Sequence, residues 1–514
     1  MRRTLALTTL VALAATCAPA ATAAPDAGSP AAPDLRPRVA ATADGGLSDD
    51  HRSRTRIQLK LAEGTSPDAL AGTLAAAGDD AVSSLAAAGT LRDLRPMVDR
   101  PAADLRALKA TAERRSGDQQ ADMSLWMLAE VDAADMDRVL AELDADPAVE
   151  VAMAQPLPTA EPLAGPQKVD ATPLAALRAD GADPVNPLAT PDFTDRQAYR
   201  GPAAEQGVEA VAAAEQPGGD GANVAVADIE YNWHRNHEDL TQLAREGALL
   251  AVGTPDPSYG PHGTAVMGEI VGDDNGGGVT GIAPAATPFM SNAISLENGW
   301  APGAAIALAA ETLEAGDVIL LELQVNGCGG GYAPVELDPA SYDAIRTATA
   351  KGIHVVEAAG NGTQNLDDPC YGGETFPDGK GDSGAIIVGA GAGSRSGRTP
   401  GSRLDFSTYG SRVNVQGWGE TVTSAGYGDL YGSDENTHYT DGFSGTSSAS
   451  PIVTGAVAQI SSIAQERGVE LTPAQMRDLV VETGTPQPEG DAGHIGPLPN
   501  VVKAVEAMGS GVAE

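Results

Sequence analysis

Three short segments of the sequence each place a chemically useful side chain at the edge of a predicted element. Asp228 ends the apolar run 224–228, His262 begins a predicted helix, and Ser447 precedes the apolar helix 452–463. A serine hydroxyl becomes a nucleophile when a neighbouring base accepts its proton, and an imidazole titrates near neutral pH. A carboxylate would fix the imidazole tautomer and stabilise the imidazolium. The three residue types therefore predict acyl transfer, with Asp228 as acid, His262 as base and Ser447 as nucleophile.

Each of these residues taken alone has an ordinary structural explanation. A carboxylate after a strand is usually a turn former, a histidine at a helix start is usually structural, and a serine before a helix is most often an N-cap. The combination is more specific, because the order acid, base, nucleophile along the chain is one of the three known arrangements of a serine triad.

The three segments around these residues carry a family resemblance, and the first of them is Val-Ala-Val-Ala-Asp at 224–228. His262 opens His-Gly-Thr-Ala-Val, and Ser447 lies in Gly-Thr-Ser-Ser-Ala-Ser-Pro at 445–451. With Ala-Ala-Gly-Asn at 358–361, they resemble the subtilisin-like serine proteases (subtilases) over about 191–510. The resemblance implies a serine endopeptidase that hydrolyses peptide bonds through an acyl-enzyme intermediate. It also implies that Asn361 is the side-chain donor of the oxyanion hole.

The sequence departs from the family pattern at three places. Glu230 stands two residues after Asp228, where the family usually has glycine. Glu322-Leu323-Gln324 stands where many subtilases have Ser-Leu-Gly, and Ser448 stands where a methionine is common. These changes leave the predicted triad intact and alter the expected shape of the substrate cleft.

The resemblance places Gly360, Glu322 and Leu323 along the substrate cleft. Gly360 would let a substrate backbone approach closely. Glu322 and Glu357 lie on predicted neighbouring strands, and one hypothesis is that they favour basic residues before the cut bond. The alternative is that both carboxylates belong to a structural hydrogen-bond network.

The elements that must position these residues follow a strand–helix alternation. Such a pattern, with strands apolar on both faces, indicates a mostly parallel sheet covered by helices on both sides. The fold class is therefore α/β and, by the resemblance, subtilisin-like. The predicted strands are 224–229, 318–323, 353–356 and 385–388, and the predicted helices are 304–313 and 342–350.

A smaller α/β unit precedes this sheet at 53–155. Its alternating and amphipathic patterns predict the strands 57–61, 125–131 and 149–153 and the helices 103–114 and 134–143 of a small α/β domain. The resemblance implies that this domain is ferredoxin-like. The resemblance implies that this unit is an inhibitory pro-domain that assists folding. A linker with seven prolines, 156–190, would carry the processing site, and the catalytic domain would occupy 191–514.

The N-terminus has the layout of a secretory signal. Arg2 and Arg3 precede the apolar stretch 5–15, and small residues end at Ala23. This pattern predicts export, with cleavage after Ala23 and a disordered leader over 24–52, and so a secreted protein. Both the general and the twin-arginine export routes stay open, and Cys17 as a lipid-anchor site is a less favoured alternative.

The charge balance excludes several classes of function. The 514 residues contain 32 Lys and Arg against 70 Asp and Glu, a formal net charge of −38. Nucleic acid would repel such a chain. No apolar run approaches the roughly 20 residues of a membrane-spanning helix. We therefore expect no nucleic-acid partner and no membrane span. The resemblance implies protein or peptide substrates, the chain's own pro-domain as an intramolecular inhibitor, and a monomer.

Once the signal is removed, two cysteines remain, Cys328 and Cys370. In an oxidising compartment they are expected to form a disulfide, the alternative being two free thiols. The predicted chemistry needs no cofactor. Members of the family often bind calcium, and acidic residues concentrate in 367–382, but no loop has a defined ligand spacing, so no ligands are predicted.

Two rival functions stay open. One is a catalytically silent homologue that acts as a binding module or scaffold. The other is a different enzyme that shares the triad, such as a peptide ligase or a highly specific processing enzyme.

Overall fold

The computed structural model describes residues 51–65, 80–158, 190–371 and 382–509. The predicted signal segment 1–23, nearly all of the leader 24–52 and most of the linker lie outside these residues. None of the described helices combines the length and hydropathy that a membrane crossing requires.

The centre of the molecule is a six-stranded sheet in which every neighbouring pair of strands is parallel. The strand order is β14-β13-β12-β9-β5-β6. Helices cover both faces, so the predicted α/β class with a mostly parallel sheet is confirmed. The strands are β5 (Ala225–Glu230), β6 (Thr287–Asn292), β9 (Val318–Leu321), β12 (His354–Ala358), β13 (Ile386–Gly391) and β14 (Val415–Trp418).

The two faces of this sheet pack against different sets of helices. Val226 of β5 belongs to the apolar cluster formed with a first set of helices, whereas Ala227 and Ile229 belong to the cluster formed with a second set of helices. Successive strand residues point to opposite faces. The even-numbered buried residues of β5, β9 and β12 therefore face the first set of helices, and the odd-numbered ones face the second. The first set is α5 (Gly260–Val271), α8 (Thr446–Glu466), α9 (Pro473–Thr483) and α10 (Val501–Gly509); the second is α6 (Pro302–Thr312) and α7 (Pro339–Lys351).

The N-terminal unit, residues 52–156, forms a separate four-stranded antiparallel sheet of order β2-β3-β1-β4. The strands that sequence reasoning predicted there are present with shifted ends, while β2 and α1 were not predicted. Its role as a pro-domain stays a prediction. Its elements are β1 (Arg52–Leu61), α1 (Ala81–Ala87), β2 (Arg92–Pro96), α2 (Ala102–Ser116), β3 (Trp126–Glu130), α3 (Met136–Asp144) and β4 (Val149–Pro156).

Short elements complete the described chain. They are the helix α4 (Ala210–Ala214) and three two-stranded antiparallel pairs, which join β7 (Ile294–Ser295) to β8 (Gly299–Trp300), β10 (Gln324–Asn326) to β11 (Tyr332–Pro334) and β15 (Val422–Ala425) to β16 (Tyr439–Phe443).

A buried ionic network joins β12 to the loops beside it. The guanidinium of Arg412 donates to both carboxylate oxygens of Glu336, at 2.9 and 2.8 Å. The backbone N–H of Glu336 donates to Glu357 at 2.8 Å, and Ser383 donates its hydroxyl to Glu336. Glu357 is fully buried in this network. The hypothesis that Glu357 selects basic substrate residues is therefore wrong, and the structural alternative is correct for this residue.

The predicted disulfide is absent, because Cys328 and Cys370 are both free thiols in the structure. The two thiols are nevertheless neighbours. Burial, followed by the hydrogen bond and charge of the Cys370 thiol, raises the pKa of Cys328 to about 12. The prediction identified two residues that come together, but it was wrong about the bond between them.

Removing the Arg412 side chain should destabilise the fold strongly. The variant Arg412→Met leaves Glu336 buried without its cation, a loss that typically costs about 3–5 kcal/mol of unfolding free energy. Urea unfolding followed by tryptophan fluorescence, in a Ser447→Ala background that prevents self-digestion, measures the change.

The matched control is Arg398→Met. Arg398 is half exposed and pairs with Glu420 at 3.3 Å, so its loss should cost no more than about 1 kcal/mol. Equal destabilisation by the two substitutions would contradict the structural importance given to the buried network.

Candidate active site

The candidate site lies at the carboxyl edge of the parallel sheet, where the ends of neighbouring strands meet. Glu230 is the last residue of β5, Glu322 follows β9, and Asn361 follows β12. β9 lies between β5 and β12 in the sheet, so these three side chains come from adjacent strands. In open α/β sheets this edge is where ligands bind.

His262 is held against this edge by a carboxylate. It lies in the first turn of α5, where Pro261 suits the start of a helix. Its Nδ1 is hydrogen-bonded to Oε2 of Glu230, and both side chains are buried. The other oxygen of Glu230 accepts the backbone N–H of Tyr231 at 2.7 Å. A carboxylate at Nδ1 favours the tautomer that leaves Nε2 as a lone-pair base, and Nε2 has no partner among the described residues.

The structure corrects the predicted acid of the triad. Asp228 makes no hydrogen bond to His262: its Oδ2 accepts the indole N–H of Trp233 at 2.8 Å, and its Oδ1 has no hydrogen-bond partner among the described residues. Burial, and then the charge of Glu230, raises the pKa of Asp228 well above its usual range. Asp228 is therefore a buried group, and the carboxylate hydrogen-bonded to His262 Nδ1 is that of Glu230.

The sequence contained a signal for Glu230. Residues two apart on a strand point to the same face, so Asp228 and Glu230 both face α5. β5 runs as far as Glu230, and only the last residue of the strand reaches the edge where α5 begins. Because the predicted strand ended before Glu230, Asp228 was interpreted as the carboxylate at the end of the strand.

Ser447 lies at the start of α8, the longest described helix. Gly445 precedes it with φ of +98°, a left-handed value that a side chain would disfavour, and an added Cβ would lie 3.2 Å from Nδ2 of Asn361. Ser447 is buried. The N-terminal end of a helix carries partial positive charge, which favours negative charge developing beside Ser447.

Asn361 is oriented by the residue before Ser447. Its Oδ1 accepts the backbone N–H of Thr446 at 2.8 Å and the Thr446 hydroxyl at 3.1 Å. Its own backbone N–H donates to Oε1 of Gln324 at 2.9 Å. Because the amide oxygen is occupied, the Nδ2 hydrogens are the groups left to donate to a ligand.

Glu322 extends the site towards both His262 and Ser447. One ligand atom from each of Glu230, His262 and Glu322 lies within 4.8 Å of the others. Ser450 of α8 donates its hydroxyl to Oε1 of Glu322. Sequence reasoning placed Glu322 on the substrate cleft, whereas the structure buries it against α8.

The remaining cleft residues have backbone or packing roles in the structure. Leu323 is buried in the apolar cluster on the α6 and α7 face. Gly360 has φ of +95°, and an added Cβ would lie 3.0 Å from the backbone nitrogen of Ala333. Ser448 donates its hydroxyl to the carbonyl of Trp418 at 2.8 Å, which gives this family departure a structural use.

The described acidic residues of 367–382 are occupied by protein donors. Asp367 accepts the backbone N–H of Ser411 at 3.0 Å, and Asp382 accepts Arg477 at 2.9 Å. A structural calcium ion stays a prediction without assigned ligands.

Comparisons with known proteins agree with this geometry. Residues 219–496 match the Subtilase family. The thermostable alkaline protease of Halalkalibacterium halodurans is 29% identical over 276 residues, which cover 52% of this chain and 63% of that protein. Subtilisin DY of Bacillus licheniformis is 30% identical over 266 residues, 52% of this chain and 85% of that protein. The match to the alkaline protease thus spans less than two thirds of its length.

A solved structure shows the same fold. Fervidolysin from Fervidobacterium pennivorans, a keratinolytic enzyme related to subtilisin, aligns with a TM-score of 0.53 at 20% identity. The alignment covers 92% of this chain and 65% of that one. The family match spans more than half of the chain and contains Glu230, His262, Asn361 and Ser447. This chain belongs to the Subtilase family.

Proposed function

We propose that the protein is a serine endopeptidase that hydrolyses peptide bonds through a Glu230–His262–Ser447 triad and an acyl-enzyme intermediate. The observation that carries the proposal is the buried hydrogen bond between Glu230 and Nδ1 of His262, on the side of the sheet where α8 presents Ser447. Membership of the Subtilase family supports the reaction class.

The first half of the reaction transfers one proton. As the Ser447 Oγ attacks the carbonyl carbon, His262 Nε2 accepts the hydroxyl proton and Glu230 stabilises the imidazolium. The carbonyl π electrons move onto oxygen and form the tetrahedral oxyanion. Collapse of this intermediate breaks the C–N bond, and His262 returns the proton to the leaving amine. Water repeats the sequence on the acyl-enzyme and releases the acid.

The oxyanion would be stabilised by two donors. Nδ2 of Asn361 is one, because Thr446 occupies the amide oxygen. The backbone N–H of Ser447, at the positive end of α8, is the other. Donors fixed before the reaction stabilise charge without reorganisation during it.

The N-terminal unit is proposed to be an inhibitory pro-domain of the same chain. Gln155, near the end of β4, donates to the carbonyls of Trp300 at 2.7 Å and Asn298 at 2.9 Å. Trp300 lies in the pair β7–β8, which follows β6 at the carboxyl edge of the sheet. The end of β4 therefore lies beside this edge of the sheet, and self-cleavage is proposed to occur in the linker 156–190 that follows it.

Two further contacts anchor this unit on the helices of the catalytic part. Gln58 donates to Asp338 at 2.7 Å, and the indole of Trp126 donates to Asp343 at 3.0 Å. Such polar anchors beside a shared apolar core suit an intramolecular inhibitor. We further propose that the precursor is exported, acts outside the cell on protein or peptide substrates, and is a monomer.

The nucleophile can be tested by self-processing. Purified precursor should lose a fragment of about the N-terminal unit's mass with time, whereas Ser447→Ala should stay intact because it lacks the attacking oxygen. Intact-mass spectrometry measures both samples in parallel, and sequencing the new N-terminus locates the cut.

The control is Ser448→Ala, which changes the adjacent hydroxyl and should still process. A fluorophosphonate probe should label the wild type and Ser448→Ala but not Ser447→Ala. Absence of labelling in folded wild-type protein would favour a catalytically silent scaffold, and efficient amide formation between peptides would favour the ligase alternative.

The proposed triad acid can be tested by substituting each of two neighbouring carboxylates in turn. Glu230→Gln should lower kcat by about 10⁴-fold, as removal of the triad carboxylate does in other serine proteases, because the imidazole loses its anionic partner. Asp228→Asn should change kcat far less, because the amide oxygen can still accept the Trp233 indole. Steady-state hydrolysis of a peptide substrate measures both, and the reverse order of effects would restore Asp228 as the acid.

Loss of the proposed oxyanion donor should have a distinct effect on the kinetic constants kcat and KM. Asn361→Ala should lower kcat by about 10²–10³-fold with little change in KM, because the lost hydrogen bond forms mainly in the transition state. Asn365→Ala, in the same loop, is the matched control and should keep the wild-type kcat. A change confined to KM in Asn361→Ala would contradict the assignment.

A further inference from the structure

Glu322 is a buried acid next to the nucleophile that the triad chemistry does not use. It immediately follows β9, and the hydroxyl of Ser450 on α8 donates to its Oε1. It is only 2% exposed. Its Oε2 has no hydrogen-bond partner among the described residues. Ser447 lies one helical turn before Ser450 on α8, and its hydroxyl favours the charged form of Glu322.

The groups around Glu322 are almost all acidic or neutral. Asp228 and Glu230 face it from β5, Glu269 and His262 face it from α5, and the hydroxyls of Ser447 and Ser450 face it from α8. No lysine or arginine in the described ranges forms an ion pair with it. All three of these carboxyls, Asp228, Glu230 and Glu269, are themselves fully buried.

This setting favours the protonated form of Glu322. Burial, and then the charge of Glu230, raises the pKa of Glu322 well above its usual range. Burial also raises the pKa of Glu269, with the charge of Glu322 adding to it. Several carboxylates in one dry site cannot all ionise, because each new negative charge is opposed by those already present.

The protonation state of Glu322 would set the direction of a hydrogen bond between its Oε2 and the Ser447 Oγ. A neutral carboxyl can donate to the Ser447 Oγ, which leaves the hydroxyl hydrogen of Ser447 free to point at His262 Nε2. An ionised carboxylate is an acceptor only. It would draw the Ser447 hydrogen towards itself and away from the base that has to receive it.

We propose that Glu322, as a neutral carboxylic acid, is a further catalytic residue that donates to Ser447 Oγ and directs the Ser447 proton to His262. Ionisation of Glu322 reverses this hydrogen bond and stops the reaction, so the enzyme works on the acid side of that ionisation. The inference rests on the proposed protease function.

The test compares the pH dependence of Glu322→Gln with that of the wild type. Glutamine donates through its NH2 group at every pH and keeps an oxygen for Ser450. Wild-type kcat/KM should fall on the alkaline side by about tenfold per pH unit beyond the ionisation. The variant should lack this fall, so the ratio of variant to wild-type kcat/KM should rise at least about tenfold from the optimum to the alkaline end.

A second variant should shift the alkaline limb of the pH profile of kcat/KM independently. The Ser450 hydroxyl donates to Glu322 and so favours its ionised form. Ser450→Ala should therefore move the alkaline limb to higher pH. Glu482→Gln, which removes an exposed carboxyl on α9, is the control and should leave the whole profile unchanged.

Each outcome decides the matter. A ratio that stays flat across pH for Glu322→Gln overturns the proposal, as does loss of fluorophosphonate labelling in a variant whose melting temperature is unchanged. If Glu322→Gln does not fold, an unmoved limb in Ser450→Ala overturns it. Failure of the protease proposal looks different, because folded wild-type protein would then neither hydrolyse peptide nor be labelled at any pH.

Discussion

The buried hydrogen bond between Glu230 and His262 is the interaction on which the arrangement of the site depends. It joins the end of a central strand to the first turn of α5, and both partners are excluded from water. A carboxylate in such a place needs donors on both oxygens, and the second donor is the backbone N–H of Tyr231. The pair therefore fixes the imidazole and the strand end relative to each other before any substrate binds.

The alternation of side chains along parallel strands explains which acids reach the site. Glu230 follows Asp228 by two residues and shares its face, while Glu322 continues the face of β9 that packs against α8. Glu357 points to the opposite face, where it accepts the backbone N–H of Glu336 and Arg412 pairs with the Glu336 carboxylate. One period-two rule thus separates a reactive group of acids from a structural one, although all of them lie within a few residues of the same edge.

The sequence was informative about elements and less informative about side-chain partners. Long apolar runs such as 318–323 and the helix 452–463 identified the sheet and the nucleophile helix, because burial on both faces leaves a strong pattern. The acid was misassigned, because strand ends are the least certain part of such reasoning and a shift of two residues preserves the face. The free thiols of Cys328 and Cys370 and the network around Glu357 depend on long-range packing that local patterns do not contain.

The apolar core beneath α6 and α7 is shared between the two parts of the chain. Leu105, Leu108 and Trp126 of the N-terminal unit belong to the same buried cluster as Ile306 and Ile345. Breaking one peptide bond in the linker removes none of these contacts. Scission and separation are therefore distinct events: a freshly cut molecule would run as two chains under denaturing conditions and still behave as one particle in solution.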